Sequence, residues 1–254
     1  MSRAPRTDFR RRLLAGDLLI GTFIRTPHAS VVEILGHSPL DCVCLDAEHA
    51  PFDRTALDAA ILAARASSLP ALVRIHEPAE VLTALDLGAT GVLVPHVSSV
   101  DIARRAALSA RYVPGGRGYA GSTRAAGYTT RSMTEIIDEA NRTVVVIAQI
   151  EDAAALEHLD AIASVEGLDA LFIGRNDLTV SLGARSPSDS QVVDAVRAIH
   201  SAAQRHKRPL GMFASTVEEA GQWAAKGVSF FLLASDQQCM LQGVRDLVAG
   251  MRGR

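Results

Sequence analysis

Two carboxylates, Glu151 and Asp177, stand just past short apolar runs, in Ala148-Gln149-Ile150-Glu151 and Gly174-Arg175-Asn176-Asp177. Carboxylates from neighbouring strand ends, with water completing the shell, suit a hard divalent cation such as Mg²⁺ or Mn²⁺. A cation so held acts as a Lewis acid on a 2-oxo acid, chelating its carbonyl and carboxylate oxygens and stabilising an enolate at C3. Gln149 lies two residues before Glu151 and so shares its face on a strand, where it can hold a metal-bound water. Spacing alone leaves another explanation open: Glu151 caps the helical segment that follows, and Asp177 caps the next turn.

Other chemistry-bearing residues fall at comparable places. Arg74 ends an apolar run, and arginine is rarely buried without an anion. It is either a clamp on an oxo-acid oxygen where negative charge develops, or one half of a structural ion pair with Asp46 or Glu48. His49, in Asp46-Ala47-Glu48-His49, is a candidate general base, with Asp86 a candidate to orient it. The chain has eight histidines, so position on the same rim, not residue type, singles it out. Cys42 and Cys44 alternate with apolar neighbours and are expected to be core residues, since no further Cys or His stands at ligand spacing. The Gly115-Gly116-Arg117-Gly118 stretch lacks the Lys-Ser/Thr ending of a phosphate loop, although Arg117 is a candidate to reach substrate. His96, after Pro95, is either rim chemistry or packing and is assigned to packing; Trp223 is assigned to the core.

These residues need a scaffold that converges them. Apolar runs at 18–24, 42–48, 71–75, 91–96, 143–151, 170–174, 210–214 and 229–235 are nearly continuous in Val, Ile, Leu and Phe, as in parallel strands covered on both faces. Helical segments alternate with them, one opening at Asp53 as an N-cap. Eight strand–helix units in 254 residues predict one (β/α)8 TIM barrel domain over residues 1–254, with its chemistry at the C-terminal strand ends. An open doubly wound sheet is the runner-up, but no glycine fingerprint follows the first run. Residues 112–142 interrupt the rhythm and are placed over the barrel mouth. Residues 1–17 read as a basic, solvated helix rather than a signal peptide. A net charge of −2 and the lack of a span-length apolar stretch argue against nucleic-acid and membrane partners. Three cysteines without framework spacing suit a reducing cytoplasm.

In order and spacing, LDAEHAPFD (45–53), VRI (73–75), LDLGATGVLVPHV (85–97), RYVPGGRGYAG (111–121), AQIED (148–152) and LFIGRNDLTVSLG (171–183) resemble the HpcH/HpaI family of metal-dependent, class II pyruvate aldolases, of the 4-hydroxy-2-oxoheptanedioate and 2-dehydro-3-deoxy-sugar-acid type. The resemblance implies a divalent cation (Mg²⁺, Mn²⁺ or Co²⁺) on Glu151 and Asp177. It implies Arg74 on the pyruvyl oxygen, a His49–Asp86 dyad moving the proton through water, and Gln149 beside the metal-bound water. The backbone from Gly174 through Arg175 and Asn176 to Asp177 would hold the substrate carboxylate. It further implies a hexamer, a trimer of dimers, with C-terminal helices packed on neighbouring subunits. The expected reaction is cleavage or formation of 4-hydroxy-2-oxo acids from pyruvate or hydroxypyruvate and an aldehyde. Two departures touch the pocket: Gly174-Arg175-Asn176 where the family often has Gly-Pro, and Glu48-His49-Ala50 where it often has Glu-His-Gly. The alternatives are a lyase or synthase acting on CoA thioesters, with Arg104, Arg105, Arg111 and Arg117 as a nucleotide groove, and a non-catalytic oxo-acid-binding barrel.

Overall fold

The computed structural model describes residues 8–253. Eight strands close into a parallel barrel in chain order: β1 (Leu19–Ile24), β2 (Cys42–Asp46), β3 (Ala71–Arg74), β4 (Gly91–Val94), β5 (Val145–Ile150), β6 (Ala170–Ile173), β7 (Leu210–Ala214) and β8 (Phe230–Ser235), with β8 pairing back onto β1. All eight fall within the apolar runs of the sequence. The surrounding helices are α1 (Phe9–Ala15), α2 (Ala29–Gly36), α3 (Arg54–Ala66), α4 (Glu80–Asp86), α5 (Val100–Ser109), α6 (Met133–Thr143), α7 (Leu159–Ala163), α8 (Arg175–Ser181), α9 (Ser190–Arg205), α10 (Val217–Ala224) and α11 (Asp236–Arg252).

Two cores follow from the period-two strand. Outward residues such as Val43, Leu45, Val73, Val92 and Val146 pack under the helices. Inward residues such as Cys42, Cys44, Leu72, Leu93, Ile147, Phe172 and Phe230 fill the barrel. The inward column does not stop where the apolar residues do. One step further along the same face, β2, β3 and β5 present Asp46, Arg74 and Gln149. Alternation thus carries buried polar side chains to the C-terminal rim on the strands that build the core.

α1 differs from the solvated helix expected for residues 1–17, of which 1–7 lie outside the described residues. Phe9 and Leu13 are buried in the barrel interior, and the Phe9 ring packs edge-on against Phe230, the first residue of β8, at 6.2 Å. α1 therefore closes the N-terminal end. Asp53 caps α3, its carboxylate accepting from the Ala56 amide at 2.7 Å. The 112–142 insertion ends in α6 and lies along the barrel flank: Arg124 donates to the carbonyls of Asp58 and Leu87 and pairs with the Asp58 carboxylate at 2.7 Å. No helix among the described residues is long and apolar enough to cross a membrane. α11 carries a row of exposed apolar residues, Met240, Leu241, Val244, Leu247 and Met251.

Candidate active site

Asp46 is the anchor of the rim. Asp46 and Arg74 are register partners on β2 and β3, so their side chains leave the sheet side by side. Arg74 donates from Nε to Oδ1 at 3.0 Å and from Nη2 to Oδ2 at 2.7 Å, a bidentate pair. The same carboxylate accepts from Arg25 Nε at 3.0 Å and from the His49 amide at 3.1 Å. Burial pushes the Asp46 carboxyl up, but the Arg74 hydrogen bonds and charge outweigh it and hold the group below its ordinary value. Of the two sequence explanations of Arg74, the structure shows the ion pair and leaves the side chain on the pocket wall. Its guanidinium sits 4.6 Å over the Phe23 ring.

Glu48 lies beside this pair, with Oε2 3.3 Å from Arg74 Nε but without a hydrogen bond, and Oε1 3.3 Å from His96 Nε2. His96 follows β4 in a left-handed conformation, φ 53°, a costly state for a residue with a Cβ. The backbone turn aims its amide at Glu151 Oε1, 2.9 Å away. The ring lies 3.7 Å from the same carboxylate and 3.2 Å from Asp152. Burial lowers its basicity, but Glu151 and Asp152 outweigh that and raise it. His96 therefore stands exposed among the rim carboxylates, not in the packing expected. Proximity to a Pro gave no sign of the turn.

Glu151 is 1% exposed. It does not cap the following turn; that place belongs to Asp152, which makes no capping bond. Its carboxylate is held by the His96 amide and by the Gln149 side-chain amide. Burial raises its pKa. Gln149 Oε1 faces no donor although it is buried. The tight fit depends on Gly174: a Cβ there would collide with Glu151 Oε2 and stand 2.6 Å from the Glu151 Cβ and 2.9 Å from Gln149 Nε2. Ligand atoms of Glu48, His96 and Glu151 lie within 4.8 Å of one another. Asp177, in the first turn of α8, is not in that trio. It lines the mouth pocket together with Gln149, Gly174, Arg175 and Asn176.

This pocket has a volume of about 220 Å³. His49 lines it, half-exposed, with Nε2 3.7 Å from Glu48 Oε2. Asp86 does not join His49 within the chain: it ends α4 and pairs with Arg117 Nη2 at 2.6 Å. Arg117 is itself buried and stacked 4.7 Å over Tyr112, so it braces the insertion, and no residue of 112–142 lines the mouth pocket. Of the four arginines offered as a nucleotide groove, Arg111 is tied to Asp169 and to the Val144 carbonyl and Arg117 to Asp86, while Arg104 and Arg105 are exposed. Cys42 and Cys44 are core residues, their thiols pushed well up by burial. Beyond His96 and Glu48, no sequence signal pointed to Arg25, Phe23, Phe172, Phe213, Ser215, Ser235 or Gln238, which complete the pocket.

Known proteins bear on this constellation. A family model described as HpcH/HpaI aldolase/citrate lyase matches residues 19–242. A 2-dehydro-3,6-dideoxy-6-sulfogluconate aldolase of Pseudomonas putida is 33% identical over 92% of this chain and 93% of its own. A 5-keto-4-deoxy-D-glucarate aldolase of Klebsiella pneumoniae subsp. pneumoniae is 32% identical over 90% of each. The crystal structure of an HpcH/HpaI aldolase/citrate lyase family protein from Burkholderia cenocepacia J2315 superposes with a TM-score of 0.91 at 30% identity, covering 97% of this chain and 99% of that one. The chain therefore belongs to the HpcH/HpaI aldolase/citrate lyase family and is an enzyme of the lyase class.

Proposed function

We propose that the chain cleaves, and in reverse forms, 4-hydroxy-2-oxo acids of the sugar-acid class, releasing pyruvate or hydroxypyruvate and an aldehyde, with a divalent cation at the rim. The class is that of the substrates for which the two aldolase relatives are named. The observation that carries the proposal is the buried Glu151 carboxylate packed on Gly174, beside a Gln149 Oε1 without a donor and within ligand distance of Glu48 and His96. Buried carboxylates and an orphan amide oxygen are stabilised by a cation with its waters. Glu151 and Asp177 would hold the ion (Mg²⁺, Mn²⁺ or Co²⁺), with Gln149 on a coordinated water; Glu48 and His96 are close enough to Glu151 to share that role. When bound, the cation supplies Lewis-acid polarisation of the oxo-acid carbonyl.

The chain's own residues do the rest. Arg74 uses Nε and Nη2 on Asp46, which fixes its plane and leaves Nη1 to donate to the oxyanion as charge develops there. The backbone from Gly174 to Asp177 receives the oxo-acid carboxylate. His49, half-exposed on the pocket wall, takes the C4 hydroxyl proton through water as the C3–C4 bond breaks. The aldehyde leaves, and the same proton route reprotonates C3. The exposed apolar row of α11 supports assembly into a homo-oligomer, for which we propose the hexamer, and the buried free thiols of Cys42 and Cys44 suit the cytoplasm.

The test is retro-aldol cleavage, together with hydrogen–deuterium exchange at the pyruvate methyl group, in chelator-stripped protein and after addition of Mg²⁺, Mn²⁺ or Co²⁺. Both activities are expected to vanish on stripping and to return with metal. Full activity in metal-free protein sinks the proposal.

A further inference from the structure

The oxo-acid end of the substrate carries one carboxylate and one developing oxyanion, which Arg74 and the cation serve. The mouth pocket holds more guanidinium donors than that requires. Three arginines line it, Arg25, Arg74 and Arg175, against a single lining carboxylate, Asp177. Asp46 and Glu219 behind them bring the formal charge into balance, but they do not use up the guanidinium donors. Asp46 is shared between Arg25 and Arg74, and Glu219 pairs with Arg175.

Arg25 is built in rather than loose. It follows β1, and the buried Asp236 carboxylate accepts from the backbone amides of Arg25 at 2.8 Å and Thr26 at 3.1 Å. Its side chain spends Nε on Asp46 and leaves both Nη groups without a protein partner. A planar fork held at its base and open at its tip matches a bidentate oxyanion. Arg175 has the complementary arrangement. Its Nη2 is fixed by Glu219, while its Nε is buried without any acceptor. A buried guanidinium N–H without an acceptor is costly, and an anionic ligand removes that cost. Ser215, Ser235 and Gln238 line the same wall and add neutral hydrogen-bonding groups.

We infer that Arg25 and Arg175 form the acceptor subsite, and that the preferred aldehyde carries an oxyanion, a carboxylate or a sulfonate, at the end remote from its carbonyl. This inference rests on the aldol reaction proposed above.

The experiment measures kcat/KM in the synthetic direction for the metal-loaded enzyme with pyruvate and three acceptors: succinic semialdehyde, sulfoacetaldehyde and uncharged butanal. Methyl exchange of pyruvate alone is recorded in parallel. The wild type is expected to favour a charged acceptor over butanal by tenfold or more, and the two charged acceptors tell carboxylate from sulfonate. In Arg25→Met the ratio of charged to uncharged acceptor is expected to fall at least tenfold. Arg25→Lys, which keeps the charge but loses the fork, should fall between. A ratio is internally referenced, so partial loss of folded enzyme does not imitate the effect. A wild type that does not discriminate overturns the inference while exchange persists. So does an Arg25→Met variant that keeps the ratio, or one that raises the KM for pyruvate alone, which would place Arg25 on the oxo acid. Absence of exchange in the wild type is a different failure: it removes the aldol reaction itself and this subsite with it.

Discussion

The barrel buries an aspartate between two arginines at each end, and the two ends use the motif differently. At the N-terminal end, Asp169 accepts from Arg10 at 2.7 and 2.8 Å, from Arg111 at 2.9 Å and from the Val146 amide at 2.8 Å. Its neighbourhood is closed by Phe9 and Leu13, and Arg111 spends its other donors on the carbonyls of Val144 and Gly167. At the C-terminal end, Asp46 is as well satisfied, but its neighbours are not: Glu48 Oε2, Gln149 Oε1 and Arg175 Nε are buried without a hydrogen bond, and His96 holds a left-handed backbone. A saturated cluster contributes stability. An unsaturated one is poised for a ligand, because the cost of its orphan atoms is relieved on binding.

Substitutions at the two ends should therefore separate activity from stability. The largest effect is expected at the rim. Glu151→Gln removes a charged ligand while keeping shape, and retro-aldol turnover should fall by about a thousandfold or more, the loss of several kcal/mol of charge stabilisation. Circular dichroism should still report a folded barrel; substantial turnover would remove Glu151 from the chemistry. Asp169→Asn should do the reverse, lowering stability in urea by about 3 kcal/mol because two part-buried guanidiniums lose their buried counter-charge. Its folded fraction should turn over within about twofold of wild type, an order-of-magnitude bound set by distance from the site. A large fall in kcat there would mean that the two ends are not independent.

Gly174→Ala comes next. The added methyl pushes on the Glu151 carboxylate and the Gln149 amide, and displacement near 1 Å costs about a hundredfold in rate. Steady-state kinetics with metal titration would read it, and an unaffected variant would show that the close approach is not needed. The smallest effect is the pH dependence of stability. Because Asp46 is held below its ordinary value, its share is fully present above about pH 4 and drains away as pH falls through the lowered folded value. Urea midpoints from neutral to acid pH should fall less steeply in Asp46→Asn than in wild type.

The sequence showed the frame well and the site unevenly, for physical reasons. Strands buried on both faces must be apolar throughout, so all eight runs were visible, and Gln149 and Glu151 were placed together by period two. Alternation also put Asp46 and Arg74 at strand ends, but not the register that sets them side by side. His96 was missed because its role depends on a backbone turn after β4. Arg25 was missed because an arginine after the first strand looks solvated until the barrel closes β8 onto β1 and brings Asp236 beneath it. Asp86 was expected at His49, yet the chain ties it to Arg117 through an insertion whose path the sequence did not reveal.

Asp46 fastens Arg74, Arg25 and the His49 amide with two oxygens. On the roles proposed above, descendants of this gene that drift toward a new acceptor by altering Arg25 must therefore do so while tugging on Arg74, the residue assigned to the oxyanion. Innovation in substrate and preservation of chemistry are then epistatic. A double-mutant cycle on Arg25 and Arg74 should come out non-additive, and routes to new acceptors would run more freely through Arg175, which hangs from Glu219 instead.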